Sequence, residues 1–139
     1  MICFWDGIIQ GLDDEDYKIL SITRERNKHI MIKNLIKSFK NKINTHIIDI
    51  RWQNNNLLKS EINEIKEAIK DYDYTKINQG HFTSSCDPFL CFLSSFLKYK
   101  IHFNYVNHNI IFEPIQNTKK EIYFKASRGH FVFVKKKKL

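Results

Sequence analysis

Three cysteines and six histidines carry most of the nucleophilic and acid–base chemistry open to this 139-residue chain. Cys3 stands immediately before one apolar segment of helical spacing, and Cys86 immediately before another. A thiol at a helix N-terminus meets unpaired backbone N–H groups and the positive end of the helix dipole, which lowers its pKa. Catalysis also takes a base within reach, most often a histidine. His29, His46, His81, His102, His108 and His130 are the choices. His130 is the most suggestive, because it follows Gly129 and opens a terminal strand with Phe131, Val132 and Phe133 behind it. From the mouth of a strand it can project across a cleft toward a helix start. The plainer reading makes any one of these histidines a core or surface residue. Free cysteine is likewise among the most buried residue types, and Cys91, inside an apolar run, is assigned to the core. Cys86 has the better-defined helix start. A carboxylate beside a thiolate raises the thiol pKa, however, and Asp87 is its neighbour. Cys3 is preferred.

The elements that must position these groups follow from periodicity. Phe4, Ile8, Ile9 and Leu12 predict a short buried helix, followed by an acidic, solvated connection from Asp13 to Asp16. Met31, Leu35, Ile36, Phe39 and Ile43 form the apolar stripe of a second helix over about Lys28 to Lys42, whose other face is basic. His46 to Trp52 reads as a strand or extended segment, and Asn54 to Asn56 as a loop. Leu58, Ile62, Ile65, Ile69 and Tyr72 share one side of a third helix. Asp87-Pro88 signals a helix start, with the acid as N-cap and the proline first in the helix. The run from Phe89 to Leu97 is apolar on most faces and describes a central, buried helix.

Strands are expected at Ile101 to Tyr105, Ile110 to Phe112, Glu121 to Lys125 and His130 to Val134. Helices first and strands last make an α+β domain, with N-terminal helices packed on a C-terminal, mainly antiparallel sheet. The expected organisation is a single domain over 1–134 with a basic, flexible tail over 135–139.

Composition narrows the class. The net charge is +8, and Lys135, Lys136, Lys137 and Lys138 supply half of it, leaving a mildly basic body. At 42% hydrophobic and 14% aromatic the chain is too apolar for a disordered segment. The longest uncharged apolar stretch, Pro88 to Leu97, is about half the roughly 20 residues a membrane span needs. No basic-then-apolar leader opens the chain, so an intracellular site, cytoplasmic or nuclear, is expected. An odd number of cysteines without metal-ligand spacing argues against a disulfide framework or structural zinc.

Cys3-Phe4-Trp5 leading into a buried helix resembles the nucleophile segment of ovarian-tumour (OTU) type cysteine proteases, in which two bulky residues commonly follow the cysteine. The run from Gly80 to Leu90 is similar to that family's loop and central helix. Ser127-Arg128-Gly129-His130-Phe131 resembles its closing element, a strand-borne histidine followed by an aromatic. The resemblance spans most of the chain, with Cys first and His last, and points to the compact versions found in large DNA viruses. It implies a papain-like fold and hydrolysis of isopeptide bonds to ubiquitin or a ubiquitin-like modifier, in the host cell if the chain is viral. Cys3 would be the nucleophile and His130 the general base, then the general acid. Backbone N–H groups around Cys3 would form the oxyanion hole. No metal or organic cofactor is implied. The family usually orients its histidine with an acid or amide two residues later or a few before the cysteine. Here those positions hold Val132, and Met1 and Ile2.

Two other readings stand beside it. The same scaffold without activity would be a module that binds ubiquitin or a host protein. Alternatively, Arg24, Arg26, Lys28, Lys33, Lys37, Lys40 and Lys42, with the tetra-lysine run, could bind nucleic-acid phosphates. A solvated helix face explains the same charges without a partner.

Overall fold

A computed structural model describes residues 3–78, 83–127 and 130–139. The loop residues Gly80, His81 and Phe82, the Arg128-Gly129 connection and the side chain of Cys86 lie outside the described residues.

The N-terminal half is helical, with α1 at Cys3–Gly11, α2 at Asp14–Ile19 and α3 at Lys28–Ile43. Asp13 and Asp16 cap α2 reciprocally: each backbone N–H donates to the other's carboxylate, at 2.9 and 3.0 Å. The acidic run expected as a solvated connection is therefore a helix start, and Asp16 is only 2% exposed. Asn27 caps α3 by accepting from the Ile30 N–H.

A short hairpin follows, β1 at Ile50–Trp52 and β2 at Asn55–Asn56. Gln53 and Asn54 both take positive φ, the signature of a two-residue primed turn. Next comes α4 at Lys59–Lys70, where Glu61 reaches back to accept from the Leu58 N–H at 2.8 Å. A 3₁₀ turn at Tyr74–Asn78 leads to the central helix, α5 at Thr83–Leu97. This helix starts a turn earlier than the Asp87-Pro88 signal suggests, leaving Pro88 inside it. So close to the start, the N–H that proline lacks removes one helical bond without ending the helix.

Four longer strands complete the chain: β3 at Tyr99–Tyr105, β4 at His108–Pro114, β5 at Lys120–Ser127 and β6 at His130–Lys138. All six strands form one sheet in the order β2-β1-β4-β3-β5-β6. The neighbours are antiparallel except β3 and β5, which run parallel with Ile101 opposite Ile122 and His102 opposite Tyr123. The protein is thus α+β with a six-stranded, mostly antiparallel sheet. Ile101, Phe103, Ile122, Phe124 and Phe131 turn into the core, while Lys100, His102, Glu121 and Tyr123 line the opposite, half-exposed face. Strand alternation thus leaves one sheet face for the helices.

The tetra-lysine run is not a flexible tail. Lys135 to Lys138 form the second half of β6 and pair with Tyr123 to Lys120 across a bulge at Tyr123/Phe124. The Lys136 ammonium turns inward and donates to the Gly11 carbonyl at 2.9 Å, to Asp13 at 2.9 Å and to Asp16 at 2.8 Å. Tyr99 donates its phenol proton to the other Asp16 oxygen, and Lys120 binds Asp13 at 2.8 Å. Burial works to raise the Asp13 pKa. The hydrogen bonds from Lys120, Lys136 and the Asp16 N–H outweigh it and hold that carboxyl well below its usual range.

Candidate active site

Cys3 is the first residue of α1, half-buried and packed against the core. Two glycines settle how close α1 lies to the sheet. A Cβ on Gly7 would stand 2.6 Å from a Phe131 ring carbon, and one on Gly11 would stand 2.8 Å from Ile122 Cδ1. One helical turn apart, they form the flat strip against which the large side chains of β5 and β6 rest. The Phe4 and Phe131 rings then meet with centroids 4.8 Å apart. Cys3 and His130, each one residue before these rings, fall at the same corner of the α1–β6 packing.

The side chains at that corner do not point the same way. Phe131 is 1% exposed and faces α1, so strand alternation sends the exposed His130 toward the other sheet face. A thiol–imidazole contact therefore needs His130, the first residue of β6, to swing round the edge of the sheet. Val132 is 49% exposed and offers no polar group to orient the ring. Cys91 is buried at 4% exposure, and burial pushes its thiol far up, as suits a core residue.

Two histidine constellations become visible only in three dimensions. His102 Nε2 lies 2.7 Å from Glu121 Oε2, which also accepts from the Tyr123 hydroxyl at 3.0 Å. The His102 and Tyr123 rings stack at 4.2 Å, a consequence of the parallel β3–β5 register. The hydrogen bonds from His102 and Tyr123 hold Glu121 below its usual pKa. This trio lies on the half-exposed sheet face, whereas Cys3 begins a helix packed on the other.

The second constellation is a Ser–His pair. His46 Nε2 lies 2.7 Å from Ser95 Oγ, which also accepts from the Asp49 N–H at 3.0 Å. Ser95 is 0% exposed, and the His46 ring sits edge-on to Phe92 and Phe96. Burial, then Lys98 and Lys66, hold His46 below its usual pKa, and the Ser95 hydroxyl also lies within donating distance of the Ile47 carbonyl, at 3.4 Å. With Ser95 fully buried and His46 half-buried, this pair anchors the segment between α3 and β1.

Three lysines of α3 are engaged within the fold. Lys28 pairs with Asp6 at 3.0 Å, Lys40 donates to the Lys70 and Tyr72 carbonyls at the end of α4, and Lys42 donates to Ser21. Among the described residues no three His, Cys, Asp or Glu side chains converge as a metal site, and no helix is long and apolar enough to cross a membrane. No family model matches the chain, and no curated protein or solved structure is significantly similar to it.

Proposed function

We propose that the chain is a thiol hydrolase of the OTU-like kind that cleaves isopeptide bonds to ubiquitin or a ubiquitin-like modifier. The observation that supports this reading is the Phe4–Phe131 contact, which holds the N-terminus of α1 and the first residue of β6 at one corner. Cys3 is the nucleophile. His130, swung toward it, takes the thiol proton as sulfur attacks the isopeptide carbonyl, and the first-turn N–H groups of α1 face the developing oxyanion. The C–N bond then breaks, with the proton passing from imidazole to the leaving lysine amine. Water adds to the thioester with His130 as base, the C–S bond breaks, and the proton returns to sulfur.

The outward alternation of His130 favours a second reading, an OTU-like module that binds the modifier without cleaving it. Turnover of a fluorogenic amide on the ubiquitin C-terminus separates the two. The hydrolase reading expects turnover lost in both Cys3→Ala and His130→Ala, with both variants folded. Binding of ubiquitin without turnover in the wild type would replace it with the second.

A further inference from the structure

On the far side of α5 from α1, a cavity of about 270 Å³ opens between β1, α4 and the first turns of α5. Its apolar walls are Trp52, Leu57, Ile65 and Pro88. Its charged groups are all acidic, namely Glu61 and Glu64 from α4 and Asp87 from α5, in a chain whose net charge is +8. Two wall atoms are buried without a hydrogen-bond partner, Asp87 Oδ1 and the Trp52 indole N–H. Buried polar atoms are rarely left this way, and an unpaired acceptor and an unpaired donor in the wall of one cavity are groups that a bound ligand could satisfy. A second cavity, of about 460 Å³, shares Trp52, Leu57 and Glu61 with the first and continues along the β1–β2 hairpin.

We propose that this groove binds a lysine side chain presented by an extended peptide. The inner cavity takes the butyl chain between Trp52, Ile65 and Pro88, and its three carboxyls take the ammonium. The outer cavity takes the peptide main chain, whose carbonyl satisfies the Trp52 N–H. Two observations support the charge assignment. Burial alone, with no cation beside it, pushes the Asp87 carboxyl up to about 7, the environment an incoming ammonium would relieve. After burial, Asp87 and Glu61 are what raise the Cys91 thiol, so both fields converge on one side of the cavity. The site stands apart from Cys3 and His130 and does not depend on thiol chemistry.

The test is a titration of the full chain with Nα-acetyl-lysine methylamide at pH 8, following the Trp52 indole N–H by NMR. Trp5, 1% exposed and bonded to the Tyr72 hydroxyl, serves as internal reference. A saturable shift of Trp52 alone is expected, weakening about tenfold at pH 6 as Asp87 takes up its proton. Asp87→Asn removes a buried charge that has no partner, so the variant folds, and its affinity falls at least tenfold. Glu64→Gln, at an exposed position, gives a smaller loss in a fold left untouched. The proposal is overturned if Trp52 does not shift, or if the neutral norleucine counterpart shifts it equally. It is also overturned if both variants bind like the wild type.

Discussion

The Lys136 ammonium lies 2.8 Å from Oδ2 of Asp16, a carboxylate 2% exposed. This ion pair joins a residue near the C-terminal end of the chain to the first turn of its second helix, with the Tyr99 hydroxyl closing the other carboxylate oxygen. Removing one partner of a buried pair strands the other charge, at about 3–5 kcal/mol. Lys136→Met is therefore expected to lower the urea midpoint sharply. Lys138→Met, at an exposed position two residues on, should leave it within error of the wild type. Equal midpoints for the two variants would mean that the terminal lysines carry no structural load.

Gly7 is expected to resist even alanine. Alanine is the better helix former by up to about 1 kcal/mol. Its Cβ would nonetheless stand 2.6 Å from the Phe131 ring, and overpacking of this kind typically costs about 1–3 kcal/mol. Gly7→Ala should be net destabilising by thermal melting. In the Gly7→Ala/Phe131→Leu pair the combined loss should be smaller than the sum of the single losses, because the clashing ring has gone.

Two half-buried titratable groups give the stability curve opposite slopes. Asp87 has its folded pKa raised to about 7 by burial, so the folded chain holds that proton longer than the unfolded one. Its contribution is complete below the unfolded value near 4 and is lost as pH rises through 7. Asp87→Asn should therefore gain stability over the wild type increasingly from pH 5 to pH 8 in urea denaturation.

His46 works the other way. Burial holds its folded pKa below the unfolded value, so the stability from the neutral ring is present above about 6.5 and drains as pH falls below it. His46→Gln should cost most at pH 7.5, where the Ser95 bond is intact, and progressively less toward pH 5. A cost that grows on acidification would contradict the neutral assignment.

How much of this could be read from residues alone differs by element. The α3 stripe from Met31 to Ile43 and the four C-terminal strands were legible because their burial is one-sided, and one-sided burial writes itself as period 3.6 or 2. The lysine run was misread because four consecutive like charges show no alternation. Only the bulge at Tyr123/Phe124 and the acids on α2 reveal why Lys136 turns inward. Asp13 and Asp16 misled for a related reason, since the lysines that hold them, Lys120 and Lys136, lie more than a hundred residues away. Gly7 and Gly11 were a missed signal, two small residues one turn apart on an apolar helix.

For the site, the positions of Cys3 and His130 at element starts could be read from the sequence. The direction of His130 could not, because it depends on Phe131 being the inward residue of β6. The His102–Glu121–Tyr123 trio needed the parallel register of β3 and β5, which no local pattern encodes. The Trp52–Asp87 cavity needed the packing of α4 and α5 against β1.

The most direct test of the central claim is covalent labelling by ubiquitin carrying a C-terminal thiol-reactive electrophile, read by intact mass on wild type, Cys3→Ser and Cys86→Ser. The account predicts one adduct on the wild type, retained in Cys86→Ser and absent in Cys3→Ser. An adduct that survives Cys3→Ser, or a wild type that never labels while binding ubiquitin, would contradict it.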